Sequence, residues 1–442
     1  MESIDPKFSR IFIKIIHLTV ERRSGEMKFF VMKLAIFKNR DFRFYVSSRF
    51  LMTMAWQGQA VAVAWQVYSL TKDPLSLGLL GLIEVIPAVG FALIAGHIVD
   101  RSERKKIVML SQWLIICVSF VLWFLSAKSG GMNQSINLFL IYSCVFLLGA
   151  GRAFLGTAQF AFFGQIFKRE DYVIASTWVS AAWQVAASLG PALGGIIYGQ
   201  WGAPVTFFFC SVLICMASLS TGLIPGRGKI ENVSEESFTE SLFSGVRFVM
   251  KTKVILSALS LDLFAVFFGG AVALLPIFAD RLGVGPEGLG MLRAAPFLGA
   301  VVMALWLTQR PPHKNVGKLM LTSVFGFGVC MICFALSTSF FWSFFILAIS
   351  GGLDAVSVVV RSAILQLETP DHMRGRIAAV NSIFINSSNE LGAFESGVAA
   401  KWMGVIPSVL FGGAMTLAVV FTTALTSPEL RRFSFRKSVT KP

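Results

Sequence analysis

The sequence consists largely of apolar stretches about as long as a bilayer's hydrocarbon layer is thick. A helix needs about 20 apolar residues to cross that layer of about 30 Å. Cutting the chain at charged and at glycine- and proline-rich segments gives about twelve such stretches. Because backbone groups surrounded by lipid must pair with each other, each stretch is predicted to be a helix. The predicted spans are 45–70, 76–99, 107–127, 136–160, 173–199, 204–224, 254–280, 287–308, 317–337, 340–366, 377–401 and 404–426.

The composition supports a membrane protein. Hydrophobic residues make up 55% of the chain and charged residues 14%, whereas soluble chains carry about 25% charged residues. This balance excludes a disordered chain, a coiled coil and an ordinary cytosolic enzyme. The chain has 39 Lys and Arg against 24 Asp and Glu, and the basic residues concentrate in loops on one side of the predicted helices. Such an excess marks the cytosolic side, so both termini are expected there, and no nucleic-acid partner is expected.

A polar segment divides the predicted helices into two sets of six. Residues 225–253 contain glycines, glutamates and basic residues instead of an apolar run, which predicts a cytosolic linker. The predicted domains are a basic cytosolic extension (1–41), a first six-helix bundle (42–224), the linker, a second six-helix bundle (254–427) and a basic cytosolic tail (428–442). A translation start at Met27 is a further hypothesis, under which residues 1–26 are not translated. N-terminal mass spectrometry of the native protein tests it.

The two predicted bundles contain related sequences. Gly81–Gly90 has a counterpart in Gly290–Gly299, with a glycine at both ends and a proline at the same place. Transporter folds often carry internal repeats of this kind. Further matches at one constant offset are Gly190 with Gly392, Gly195 with Gly397 and Gly202 with Gly404. This ordered series of matches predicts an all-α polytopic membrane protein with twelve helices in two pseudo-symmetric bundles.

Two pairs of equivalent positions carry opposite charges. Glu84 corresponds to Arg293, and Arg152 corresponds to Asp354. A charge in the membrane core costs several kcal/mol unless it is paired or hydrated. These four residues are therefore expected to form ion pairs around an internal axis. The sequence alone does not decide which residue pairs with which.

The loop after the second predicted helix carries an ordered string of small and charged residues. It places Gly96, Asp100, Arg101, Arg104 and Lys105 at the spacing Gly-x-x-x-Asp-Arg-x-x-Arg-Lys. This string resembles the signature loop of the major facilitator superfamily of membrane transporters. The resemblance implies that the loop acts as a latch, which joins the two bundles in the outward-facing state. Anchoring of the loop in the cytosol by its positive charges is the alternative interpretation.

Two further motifs resemble features of the same superfamily inside the membrane. Arg152, followed by Gly156, resembles the intramembrane arginine motif that is often linked to proton coupling. The fifth helix resembles the Gly-Pro-x-x-Gly-Gly motif found mainly in exporters. The chain departs from that motif at Ala181, where the family has a glycine, so a simple packing kink is the alternative. The motif residues here are Gly190, Pro191, Gly194 and Gly195.

Two stretches narrow the resemblance to one branch. Residues 65–79 and 367–377 resemble the branch that contains the enterobactin exporter and the macrolide-efflux permeases. The resemblance covers about residues 42–427. It implies alternating access, in which two six-helix bundles rock about a site near the middle of the membrane.

Charged residues inside the predicted helices are the candidates for proton coupling. A coupling carboxyl group must be buried and must be exposed to each side of the membrane in turn. Asp262 lies alone among apolar residues of the seventh helix, and a position at the membrane interface is its alternative interpretation. Permanent structural pairing is the alternative for Glu84 and Asp354. The full candidate set is Asp262, Glu84, Arg152, Asp354 and Glu390.

Polar stripes on three predicted helices are candidates to line a substrate cavity. Ser382, Asn386 and Glu390 are spaced four residues apart, so they share one face of the eleventh helix, and Asn389 borders that face. Such a stripe faces either a cavity or a neighbouring helix. Helices one, five and eleven line the cavity in the superfamily that the chain resembles. The candidates on helices one and five are Gln59, Gln66 and Gln184.

Together these features predict a monomeric secondary transporter in the lipid of the bacterial cytoplasmic membrane. The expected function is proton-coupled export of a small amphipathic compound, such as a siderophore or a drug. Import of a metal–siderophore complex or another solute by the same fold is the alternative. An enzyme or a channel is a remote alternative, because the sequence has no catalytic cluster, nucleotide loop or evident filter. No cofactor and no metal site are expected.

Overall fold

The computed structural model describes residues 36–128, 133–167, 169–226, 228, 238–310, 312, 315–370 and 373–434. These residues form helices joined by short connections, and they contain no β-strand. The hypothesis about Met27 and most of the predicted basic tail lie outside the described residues. The α-helices are α1 (Arg40–Thr71), α2 (Pro74–Gly90), α3 (Ala92–Arg101), α4 (Arg104–Ala127), α5 (Gln134–Ile166), α6 (Tyr172–Gly222), α7 (Phe238–Lys251), α8 (Lys253–Gly269), α9 (Leu275–Arg281), α10 (Gly285–Gln309), α11 (Val316–Leu336), α12 (Phe340–Glu368), α13 (Arg374–Met403), α14 (Val405–Thr426) and α15 (Pro428–Arg431).

Local sequence signals set several helix boundaries. Asn39 caps α1, because its side-chain oxygen accepts the backbone N–H of Asp41 at 2.9 Å. Pro74 occupies the first turn of α2, where the missing N–H costs no hydrogen bond. Pro87 lies inside α2, where it removes one hydrogen bond of the helix. The chain bends by 47° between α2 and α3, so the predicted span 76–99 is one broken helix pair.

Two equivalent glycines interrupt the helices at the same place in each half. Gly202 has φ 80° and divides the 51-residue α6 into two helical arms. Gly404 has φ 91° and separates α13 from α14. Side chains other than hydrogen are disfavoured at such positive φ values. The breaks agree with the predicted boundaries near these residues. Both repeats therefore have a helix break of the same kind.

The helices are long and apolar enough for a membrane protein, although the count of twelve crossings stays a prediction. Among the described residues, eight helical segments qualify by length and hydropathy, and the bent pair α2–α3 would be a ninth. α6 is one of these eight segments despite its break at Gly202. α1 and α13 are not among them, because their middle portions carry several polar side chains. These two helices contain most of the residues predicted to line a cavity.

The helices pack into two halves, each with its own apolar core, and a third apolar cluster joins Val61 of α1 to residues of the second half. In the first half, α1 packs on α6, and α4 packs on α5 and α6. In the second half, α11 packs between α12 and α14. The halves meet along two helix pairs, α2 with α13 and α6 with α10. The predicted linker contains α7, which contacts α13, α8 and α3.

Both interfaces between the halves contain a close backbone crossing. A Cβ atom added at Gly195 would stand 2.7 Å from the Cα of Gly290, and one added at Gly397 would stand 2.6 Å from the Cα of Gly78. Such distances leave no room for a side chain. Gly195 and Gly397 are equivalent in the sequence repeat, whereas Gly290 corresponds to Gly81, about one turn along α2 from Gly78, so the two crossings are similar but shifted by about one turn. We call the end of the bundle where these crossings lie, next to Lys72, the Lys72 end. The opposite end, with the signature loop, is the Asp100 end.

Candidate transport site

A cluster of three charged side chains joins the two halves at the centre of the molecule. Arg152 on α5 donates from Nη1 to Glu84 on α2 at 2.7 Å and to Glu390 on α13 at 2.9 Å. Glu84 belongs to the same half as Arg152, whereas Glu390 belongs to the other half. The side chains of all three are between 20% and 37% exposed. The cluster is therefore only partly buried, and it depends on the relative position of the halves.

Arg293 on α10 approaches this cluster from the second half. Its Nη1 donates to the carbonyl oxygen of Ala60 on α1 at 3.4 Å. It is close enough to Glu84 and Glu390 for an electrostatic interaction. The positive charges of Arg152 and Arg293 balance the negative charges of Glu84 and Glu390. This balance lowers the free-energy cost of holding the four groups in the membrane core. Of the four residues expected to pair around an internal axis, Glu84 and Arg152 form an ion pair and Arg293 lies near them, whereas Asp354 is not part of this cluster.

One aromatic ring stands beside the charged cluster, and a second aromatic contact joins the two halves. The guanidinium carbon of Arg152 lies 5.9 Å from the ring centroid of Trp56 on α1, a distance that permits a cation–π interaction. The rings of Trp183 on α6 and Phe297 on α10 meet edge to face across the two halves at 6.0 Å. Trp183 is 40% exposed. Trp56 therefore lies next to Arg152, and Phe297 lies one helical turn from Arg293 on α10.

The polar residues predicted to line a cavity separate into a buried group and a more exposed group. Gln59 is buried and accepts the hydroxyl of Ser119 on α4 at 2.7 Å, so it lies at a helix contact. Gln66 is buried as well, whereas Gln184 is half-buried. Ser382 and Asn389 are exposed. The side chain of Asn386 lies outside what the structure describes.

Asp262 has a partner that its sequence neighbourhood does not reveal. Its carboxylate on α8 forms an ion pair with Arg361 on α12. Both side chains are buried, with 7% and 3% of their surface exposed, and both belong to the second half. Asp354 lies on α12 two helical turns from Arg361 and is half-buried. Among the described residues, its sequence equivalent Arg152 pairs with Glu84 and Glu390 and forms no ion pair with Asp354.

The basic residues of the signature loop contact their own half. Arg104 donates to the carbonyl oxygen of Ala161 on α5 at 2.9 Å. Lys105 donates to the carbonyl oxygens of Gly222, the last residue of α6, at 2.8 Å and of Ile224 at 2.6 Å. Asp100 and Arg101 are exposed. A cavity of about 360 Å³ beside the loop is lined by Gly96, Asp100, Arg104, Thr157, Phe160 and Tyr172, among others.

Ionic bridges between the halves lie at the Lys72 end. Lys72 contacts Asp280 on α9 at 2.9 Å, and the hydroxyl of Tyr68 donates to the same carboxylate at 2.7 Å. Lys401 on α13 contacts Asp73, which precedes α2, at 2.8 Å. With the two glycine crossings, these bridges close the Lys72 end. Sequence reasoning missed them, although isolated charges in otherwise charge-poor loops were a usable signal.

The Gly-Pro-x-x-Gly-Gly segment lies where α6 meets two other helices. A Cβ atom at Gly190 would stand 2.6 Å from the carbonyl oxygen of Met54, and one at Gly194 would stand 2.6 Å from the Cα of Gly58, both on α1. Gly195 faces α10, as described above. Pro191 lies inside α6. The segment is therefore a packing site in this conformation, and the contact with α10 also makes it part of the interface between the halves.

Comparisons with known proteins agree with this architecture. Residues 31–438 match the family described as transmembrane secretion effectors. The enterobactin exporters EntS of Escherichia coli and of Shigella flexneri are each 24% identical over 409 residues, which cover 91% of this chain and 96% of theirs. The likeness therefore extends over both halves.

Solved structures share the fold at much lower identity. The nucleoside transporter NupG has a TM-score of 0.69 at 12% identity, over 88% of this chain and 99% of its own. A POT family transporter in complex with a thioalcohol conjugated peptide has a TM-score of 0.71 at 12% identity, over 88% of this chain and 96% of its own. A bacterial homologue of the human lysosomal transporter Spinster, inward-facing and unoccupied, has a TM-score of 0.61 at 14% identity, over 91% of this chain and 98% of its own.

The fold, the repeat and the family match agree with one another. The chain is a multi-pass membrane transporter and not an enzyme, as the sequence predicted. It resembles the branch that contains the enterobactin exporter. This chain belongs to the transmembrane secretion effector family of the major facilitator superfamily.

Proposed function

We propose that the protein is a proton-coupled exporter of a small amphipathic compound and works by alternating access. The observation that carries the proposal is the Arg152 cluster, because it is a partly exposed ionic link between Glu84 in one half and Glu390 in the other. The likeness to enterobactin exporters over both halves supports the direction of transport.

The proposed coupling step is protonation of Glu390. Arg152 holds Glu390 by charge at 2.9 Å, and Glu84 still neutralises Arg152 when Glu390 is uncharged. A proton on Glu390 therefore weakens the link between the halves without leaving Arg152 unpaired in the membrane. Substrate or water can then enter between α13 and α5, and the two helices move apart. Glu390 becomes charged again when it loses the proton on the other side.

The orientation follows from the distribution of basic residues. Because the Asp100 end carries the basic loop and the linker, we assign it to the cytosol, with both chain termini. The Lys72 end then faces away from the cytosol and is closed. Export requires it to open, which breaks the bridges from Lys72 to Asp280 and from Lys401 to Asp73. The latch residues Asp100 and Arg101 join the halves only in that second conformation.

The side chains around the cluster favour an aromatic substrate with a polar or anionic group. Trp56, Trp183 and Phe297 provide ring faces and edges for stacking. Arg293 donates one N–H to a neutral carbonyl oxygen, that of Ala60, and forms no ion pair among the described residues, so its other N–H groups can bind an incoming acceptor. Siderophores and drugs with aromatic rings fit this description. We place the protein in the bacterial cytoplasmic membrane as a monomer.

Transport in oriented vesicles tests the proposal. Inside-out vesicles should accumulate a catecholate siderophore or a macrolide when the lumen is acidified, and the accumulation should stop when an ionophore collapses the gradient. Right-side-out vesicles that take up the same probe with the inward proton gradient would instead establish import. A ligand thermal-shift screen of siderophores and antibiotics on purified protein selects the probe.

The variant Glu390→Gln tests the coupling step. It should keep binding of the probe in the thermal-shift assay and lose the dependence of transport on the pH gradient. Glu395→Gln is the matched control, because it removes the same charge five residues farther along α13. Gradient dependence that persists in Glu390→Gln and vanishes in Glu395→Gln would move the coupling role to Glu395.

A further inference from the structure

The linker helix α7 is held in place by one of its faces. The Oγ of Ser244 accepts a hydrogen bond from the guanidinium of Arg376 on α13 at 3.0 Å. A Cβ atom at Gly245 would stand 3.2 Å from the carbonyl oxygen of Arg376, and Val249 is 1% exposed within the core of the second half. This face is therefore fully used in contacts with α13 and α8.

The opposite face of α7 is apolar and uncovered. Phe243, Val246 and Met250 are 71%, 36% and 62% exposed, and their spacing places them in one stripe along the helix. Arg247 and Lys251 flank the stripe and are exposed as well. A helix with an exposed apolar stripe bordered by basic side chains is typical of binding in the interfacial layer of a membrane.

We propose that α7 binds the surface of an anionic phospholipid leaflet. The stripe of Phe243, Val246 and Met250 enters the boundary between headgroups and acyl chains, and Arg247 and Lys251 contact lipid phosphates. The position of α7 supports lipid as the occupant, because only Thr252 separates it from α8, which begins a membrane-spanning segment. The positive charges of the flank complement an anionic surface.

The contacts of α7 give this binding a consequence for the carrier. The helix contacts α3 in the first half and α13 in the second half. A helix anchored in the leaflet and attached to both halves resists their relative movement at the Asp100 end. The surface charge of the membrane therefore acts on the conformational equilibrium. The inference rests on membrane insertion and not on the identity of the transported compound.

Photocrosslinking in defined bilayers tests the proposal. A benzophenone amino acid replaces Phe243 in the full chain, which is reconstituted in equimolar phosphatidylcholine and phosphatidylglycerol, and crosslinked lipid is identified by mass spectrometry. We expect lipid adducts enriched in phosphatidylglycerol. The same probe at Leu305, an exposed position of α10, is the control and should crosslink both lipids in proportion to their abundance.

Charge variants separate lipid binding from a general apolar contact. Each of Arg247→Gln and Lys251→Gln should lower the phosphatidylglycerol enrichment roughly fivefold at low salt, the effect of one basic side chain near an anionic surface. Lys128→Gln, at the Lys72 end of α4, is the matched control and should leave the enrichment unchanged. Adducts at position 243 only with protein, or lipid adducts without enrichment, would overturn the proposal.

Discussion

Two ionic contacts in the membrane part of this protein each pair an arginine with carboxylates, but they differ in exposure and in the halves that they connect. The Asp262–Arg361 pair is almost fully buried, with 7% and 3% of the side chains exposed, and stays within one half. The Arg152 cluster is 20% to 37% exposed and joins both halves. A link that must form and break during transport needs access to solvent and a partner that moves away. By both criteria the Arg152 cluster fits coupling, whereas the Asp262 pair fits a structural role.

Removing one member of the buried pair should have the largest effect. Asp262→Asn leaves the Arg361 charge buried without a counter-ion, which should cost about 3–5 kcal/mol of stability. The midpoint of thermal unfolding in detergent measures this loss. The double variant Asp262→Asn/Arg361→Met should recover most of the stability and keep the pH-gradient dependence of transport. A double variant that is stable but uncoupled would restore Asp262 as the coupling residue.

Removing one member of the central cluster should cost much less stability. Glu390→Gln leaves Arg152 paired with Glu84, and solvent screens the partly exposed guanidinium, so a loss of about 1 kcal/mol or less is expected. The same unfolding assay measures it beside Asp262→Asn. Equal losses in the two variants would show that accessibility does not distinguish the two contacts.

The exposed bridge at the Lys72 end should have the smallest effect. Lys401 is 51% exposed and Asp73 is 27% exposed, so their coupling energy should be about 0.2–1 kcal/mol. A double-mutant cycle of Lys401→Gln and Asp73→Asn, read by thermal unfolding, measures this energy. It should decrease at high salt, because the Debye length shortens. A coupling energy that salt does not change would place the bridge in a buried environment.

Much of the fold could be predicted from the sequence, because it depends on local patterns. Membrane-length apolar runs gave the helices, and the matching glycines gave the repeat whose two breaks are Gly202 and Gly404. The bend after Pro87 was not predicted, because α2 and α3 form one apolar run. Polar helices such as α13 are recognised by their place in the repeat, since their hydropathy alone does not qualify them.

The ion pairs of the candidate site were harder to predict from the sequence. The repeat singled out Glu84 and Arg152, and the polar stripe of the eleventh helix singled out Glu390. Their contact depends on the rotation of three helices from both halves, which sequence periodicity does not give. The same limit explains Asp262, whose neighbours along α8 are apolar while its partner Arg361 arrives from α12. The roles of these residues in transport stay predictions.

The glycine–glycine backbone contacts at the Lys72 end bear on how tightly the protein seals the membrane. Where Gly78 meets Gly397 and Gly195 meets Gly290, main chains touch without intervening side chains, so the seal does not depend on rotamer fluctuations. A methyl group at any of these positions would collide with facing main-chain atoms at 2.4 to 2.9 Å and push the helices apart. In the energised membrane proposed above, a gap at this place would be a path for ions, so these glycines bear on retention of the gradient as well as on transport.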